Sequence, residues 1–169
     1  MSPRVVLVGP PGAGKTTVAA ELGRRLGVAV RDTDADVEAR EAMTVQDVFV
    51  THGEARFREL ERDAVREALS THDGVLALGG GAVTTDAVRR SLDGHRVVFL
   101  DVSLTESAAR VGLGTSRPLL LGNVRGTLKK LMDDRRPLYT QVATLTVVTD
   151  GLSPEQVADH ILTELGETT

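Results

Sequence analysis

The chain has 169 residues with no cysteine or tryptophan, one tyrosine and three phenylalanines, which is one domain's worth of polypeptide, able to bury a real core but hardly long enough for two. Apolar residues make up 41% and charged residues 26%, which sets aside collagen-like, disordered and disulfide-knotted classes, and no apolar run approaches the roughly 18 to 20 residues that a membrane helix needs. The net charge of −4 argues against a general nucleic-acid or anionic-membrane binder, because such proteins draw most of their affinity from excess positive charge.

In chain order, Met1-Ser2-Pro3-Arg4 enters an apolar stretch with no secretory h-region and cleavage site, so a cytoplasmic protein is expected. Residues 4–8 read as a strand and 15–26 as a helix with Val18, Leu22 and Leu26 on one face and Gly27 at its end. A second strand is expected at 28–31 and a short helix at 36–42. Thr44, with Asp47 three residues on, has the spacing of an N-cap, and a longer helix follows over 54–69. Residues 75–78, Val-Leu-Ala-Leu, form an uninterrupted apolar run, as in a strand covered on both faces, and Gly79-Gly80-Gly81 breaks it. Residues 97–102 read as another buried strand, and Ser103 with Glu106 opens the next helix. The segment 112–125, with Gly112, Gly114, Pro118 and Gly122, reads as a long mobile connection. A helix through 128–134, a strand at 145–148 and a helix opened by Ser153-Pro154-Glu155-Gln156 complete the chain. Five strands alternating with helices imply a parallel sheet with helices on both faces and a ligand at the carboxyl ends of the strands.

Gly9-Pro10-Pro11-Gly12-Ala13-Gly14-Lys15-Thr16 matches G-x-x-x-x-G-K-[ST] between a strand and a helix, the context that a phosphate-binding loop requires. Its glycines allow amide N–H groups to point inward, the helix N-terminus adds partial positive charge, Lys15 reaches the β- and γ-phosphates, and the Thr16 hydroxyl can ligand Mg²⁺. Asp32-Thr33-Asp34 follows the second strand. If the segment is extended, the two carboxylates point the same way, one able to serve Mg²⁺ and the other a substrate hydroxyl. An acidic turn capping the next helix accounts for the same residues. On the helix after Gly53, Glu54, Arg58 and Glu61 stand at i, i+4 and i+7, so the acids can hold the arginine's fork. Phe49 and Phe57 are two of the chain's three phenylalanines, and Phe57 reads equally as the wall of a binding pocket or as ordinary core.

Together with the loop, Asp32-Thr33-Asp34, Gly53-Glu54-Ala55-Arg56-Phe57-Arg58-Glu59-Leu60-Glu61, Gly79-Gly80-Gly81-Ala82, Arg117-Pro118-Leu119-Leu120 and Arg135-Arg136-Pro137-Leu138-Tyr139 make the chain resemble the shikimate kinase family over nearly its whole length. The resemblance implies one domain over 1–169 of the nucleoside-monophosphate-kinase-like P-loop type: a five-stranded parallel sheet, an acceptor-binding region over about 33–61 and a mobile lid over about 112–124. It further implies ATP and Mg²⁺ as cofactors and transfer of the γ-phosphoryl group to the 3-hydroxyl of shikimate, by a cytoplasmic monomer without nucleic-acid or membrane partners. By motif, Lys15, Asp34 and Arg117 carry the catalysis. Gly12, Ala13, Gly14, Lys15, Thr16, Thr17, Arg110, Arg117 and Pro154 bind the nucleotide, with Arg110 against the adenine. Asp34, Arg58, Gly79, Gly80, Gly81 and Arg135 bind shikimate, and Thr16 and Asp32 serve the metal. Counting back from Pro-Leu-Tyr selects Arg135 over Arg136. Near the last strand, Asp150-Gly151-Leu152 stands where some relatives carry basic residues. A gluconate kinase or a nucleoside monophosphate kinase is the nearest rival. A nucleotide-gated switch fits less well, since the chain has no N-K-x-D string and a switch has no use for a carboxylate clamp.

Overall fold

The computed structural model describes residues 1–112 and 124–167. Five strands, β1 (Val5–Val8), β2 (Val30–Asp32), β3 (Val75–Ala77), β4 (Val97–Asp101) and β5 (Leu145–Val148), pair in the order β2-β3-β1-β4-β5 with every pairing parallel. Seven helices are described: α1 (Lys15–Leu26), α2 (Thr33–Glu41), α3 (Val45–Thr71), α4 (Asp86–Ser91), α5 (Leu104–Gly112), α6 (Val124–Val142) and α7 (Pro154–Leu165). A 3₁₀ turn at Ala82–Thr84 leads into α4.

The pleat divides the core in two. Val5, Leu7, Val98 and Leu100 join Leu22 of α1 and Ile161 of α7 on one face, while Val6, Val8, Val97 and Phe99 join Leu69 of α3 and Tyr139 of α6 on the other. Successive side chains of one strand thus feed opposite cores, which is why β1 and β3 read as continuous apolar runs. A third, smaller cluster of Val37, Val48, Phe57, Leu60 and Ala64 lies between α2 and α3.

Several boundaries depart from expectation, each for a local reason. α2 begins at Thr33 and not at 36, because the Asp32 side chain accepts from the amides of Asp34 and Ala35 and starts the helix there. The Asp32-Thr33-Asp34 stretch is therefore a capped strand-to-helix junction and not an extended segment. The expected helix at 54–69 is the second limb of a longer α3, whose first limb is capped by Thr44 accepting from the Asp47 amide, with a break at Gly53 (φ 84°, ψ 168°) that only glycine adopts easily. The short helix α4 was not anticipated. α6 runs through Pro137 to Val142 where 134 was expected to end it. Leu128, Met132, Arg135 and Tyr139 are buried at i, i+4, i+7 and i+11. That continuous inward face holds the helix together, and Pro137 lies on the exposed side, where water can satisfy the freed carbonyl.

Candidate active site

β1 delivers the chain into the phosphate loop, and the loop delivers it into α1. Gly14 takes the left-handed conformation (φ 91°, ψ 21°), and no side chain caps the helix, so the first-turn amides are left to a ligand or to water. Lys15 Nζ donates to the carbonyls of Gly9 at 2.6 Å and Pro10 at 3.1 Å, which centres the ammonium on the loop. Thr16 and Thr17 are exposed in the first turn of α1. Ala13 is buried beneath the loop, and its amide donates to the Pro10 carbonyl at 3.2 Å, so it serves the loop's own turn. From α5, the buried Ser107 hydroxyl donates to the Pro11 carbonyl at 2.6 Å and Arg110 donates to the Gly12 carbonyl at 2.8 Å, fastening the loop from outside. Ser107 was not anticipated; nothing in its sequence context marks it.

A cavity of about 210 Å³ at the carboxyl ends of the strands is lined by Gly12, Gly14, Lys15, Thr16, Thr17, Asp32, Asp34, Gly79 and Gly80, together with Pro11 and Leu78. Both aspartates face it despite the altered local structure: one Asp32 oxygen caps α2, accepting from Asp34 N at 2.8 Å, and Asp34 stands in the first turn of that helix. No group of three or more acidic or histidine side chains placed to hold a metal occurs among the described residues. Mg²⁺ usually takes one or two carboxylates with substrate phosphates and water, and the hard oxygen donors Thr16 and Asp32 around one cavity fit that mode.

The glycine turn after β3 is where the acceptor-side residues meet. A Cβ at Gly79 would lie 2.5 Å from Asp34 Oδ1, and one at Gly81 would lie 2.5 Å from both terminal nitrogens of Arg58. These two positions are glycine because neighbouring side chains occupy the space, whereas a Cβ at Gly80 would make only ordinary contacts at 3.5 Å. Arg58 pairs with Glu61 at 2.9 Å and with Glu54 at 3.4 Å, as the i, i+4, i+7 spacing implied. Its guanidinium carbon stands 5.4 Å from the Phe57 ring and 5.9 Å from the Phe49 ring, and the two rings stack at 4.6 Å. Phe57 belongs to the α2–α3 core and does not line the cavity. From the opposite side, α6 brings buried Arg135 against Tyr139, whose hydroxyl donates to the Gly80 carbonyl at 2.5 Å. Arg136 points to the exposed side and pairs with Asp101 at 2.5 Å, so the two adjacent arginines are separated as their register implied.

Glu61 is 1% exposed. Burial pushes its carboxyl from the ordinary 4.5 up to about 7 against the pull of Arg58, and nearby Asp34 pushes the same way. Between about 4.5 and about 7 the folded chain therefore holds a proton that the unfolded chain releases, so stability falls as pH rises through that window and levels off above it. Glu61→Gln is expected to remove this part of the slope. Melting midpoints measured across that range for both proteins check it, and parallel curves would refute it.

One anticipated residue stands apart from this cluster. Pro154 occupies the first turn of α7 after β5, where Ser153 closes a capping box with Gln156. Arg117 and most of the expected lid at 112–124 lie outside the described residues. Thr33 was missed: it is fully buried, and its hydroxyl oxygen accepts from the Gly79 amide at 3.3 Å, tying α2 to the glycine turn.

The family model described as shikimate kinase matches residues 11–166. A shikimate kinase of Salinispora arenicola is 57% identical over 161 residues, covering 95% of this chain and 96% of that protein. One of Thermobifida fusca is 55% identical over 163 residues, covering 96% and 95%. The solved shikimate kinase of Acinetobacter baumannii in complex with shikimate superposes with a TM-score of 0.93 at 35% identity, covering 98% of this chain and 93% of that one.

Proposed function

The chain belongs to the shikimate kinase family, and from that premise we propose that it transfers the γ-phosphoryl group of ATP, with Mg²⁺, to the 3-hydroxyl of shikimate. The observation that carries the reading is the convergence of two arginines from separate helices, Arg58 of α3 and Arg135 of α6, on a glycine turn that also lines the phosphate cavity. Two guanidinium groups there suit a carboxylate on the acceptor.

In this reading Arg58 and Arg135 hold the carboxylate, and the backbone of Gly79, Gly80 and Gly81 lies against the ring. Asp34 orients the 3-hydroxyl and accepts its proton as the oxygen bonds to the γ-phosphorus and the bond to the bridging oxygen of ADP breaks. Lys15 stabilises the charge spread over the phosphates. Thr16 and Asp32 would hold Mg²⁺, which when bound neutralises phosphate charge. Arg110 and Pro154 flank the nucleotide, and Arg117 adds positive charge at the transferring group, both by motif. A cytoplasmic monomer, comprising one domain over 1–169 with a lid at 112–124, accompanies the proposal.

ADP release measured with shikimate, gluconate and nucleoside monophosphates tests it: shikimate is expected to be the strongly preferred acceptor, and preference for either rival overturns the reading. In the same assay Arg135→Lys, which keeps the charge but loses the fork, is expected to raise the shikimate KM roughly 10- to 150-fold, the equivalent of about 1.5–3 kcal/mol for a lost hydrogen bond to a charged group. Arg136→Lys should do little, since Arg136 is directed to Asp101. If Arg136→Lys is the more damaging, the register across the motif is wrong by one residue.

A further inference from the structure

We propose that Tyr139 is a positioning residue for acceptor binding, its hydroxyl linking the Arg135 side of the carboxylate clamp to the glycine turn. The inference rests on the acceptor reading above and adds to it a residue that touches neither substrate.

The hydroxyl donates to the Gly80 carbonyl at 2.5 Å, and the Arg135 guanidinium stands near it, one helical turn earlier on the same buried face of α6. That one bond ties the helix that carries Arg135 to the backbone of the turn after β3. Burial pushes the phenol up to about 12 despite Arg135 nearby, so the proton needed for the bond to Gly80 is present throughout the working pH range. The ring is fixed independently: it is 1% exposed and packs on Phe99 at 5.0 Å with the planes tilted 30°. Gly80 needs such a partner more than its neighbours do. A side chain at Gly79 would be crowded by Asp34 and one at Gly81 by Arg58, whereas a Cβ at Gly80 would meet nothing closer than 3.5 Å. The tyrosine hydroxyl thus sets the part of the turn that packing leaves loose.

A tyrosine serving only as core filler would be replaced by phenylalanine without consequence for the substrate. Tyr139→Phe keeps the ring and its contact with Phe99 and removes one O–H, so the fold is retained; a melting midpoint within a few degrees of wild type checks this. The expected result is a rise in shikimate KM on the order of tenfold, corresponding to about one lost hydrogen bond, with a smaller change in kcat and an ATP KM within about twofold. Combined with Arg135→Lys, the second change should add little to the first, because both act through one link. Wild-type ADP release with shikimate tests the underlying reading separately. With that activity in hand, the positioning role is overturned by an unchanged shikimate KM in Tyr139→Phe, by an equal rise in ATP KM, or by effects that multiply fully in the double variant.

Discussion

Lys15→Ala is expected to lower turnover at saturating ATP and shikimate by roughly 10²- to 10³-fold, the usual effect of removing one preorganised charge donor from a developing anion. The lysine is the first residue of α1, and its ammonium lies against the carbonyls of Gly9 and Pro10, at the centre of the loop between β1 and α1. In phosphoryl transfer there is little covalent chemistry for the protein to perform, so positioning and charge stabilisation account for most of the rate. Alanine at a half-buried helical position deletes no core contact and is the best helix former, so the melting midpoint should stay near wild type. Near-native turnover would refute the assignment.

Asp34→Asn is expected to cut kcat about 10²- to 10⁴-fold, the range for loss of a positioned general base, while Mg-ATP binding changes only a few-fold. The amide keeps the size of the carboxylate, which matters because Asp34 lies hard against Gly79. The separate carboxylate of Asp32 keeps its cap on α2 and its place at the cavity. Calorimetric titration of Mg-ATP into the variant decides between the two aspartates: a large loss of nucleotide affinity would mean that their roles are exchanged.

The phosphate side was legible because local chemistry dictates it. A glycine in the left-handed region, a lysine and a threonine at a helix start form a contiguous string, and the string works wherever a strand and a helix flank it. The helix ends marked by Gly27, Thr44, Ser103 and Ser153 were read for the same reason, since each cap is decided within about four residues. The arginine–glutamate ladder of Glu54, Arg58 and Glu61 followed from helical spacing alone.

What escaped was decided between elements distant in the chain. The Ser107 bond to Pro11, the Thr33 bond to Gly79 and the Tyr139 bond to Gly80 each span tens of residues, and no window of sequence contains both partners. The glycine turn shows the difference most clearly. Three consecutive glycines suggested a backbone approached by a ligand, but not that two of them also leave room for Asp34 and Arg58 of this same chain. The end of α6 was misplaced for a related reason: the helix was read only through 134, whereas the buried face of Leu128, Met132, Arg135 and Tyr139 continues it to Val142, past a proline that by local chemistry disfavours a helix interior.

The small cluster of Val37, Val48, Phe57, Leu60 and Ala64 is separate from both sheet cores. Cooperative unfolding units follow the distribution of buried apolar contacts, and this cluster joins α2 to the stretch of α3 about Gly53 as a local unit, while Val65, Ala68 and Leu69 anchor the far end of α3 in the sheet core. Opening that unit strips fewer contacts than opening the sheet. The surface that carries Asp34 and Arg58 can therefore loosen and re-form while β1, α1 and the loop between them stay folded, so fluctuation on the acceptor side need not disturb nucleotide retention.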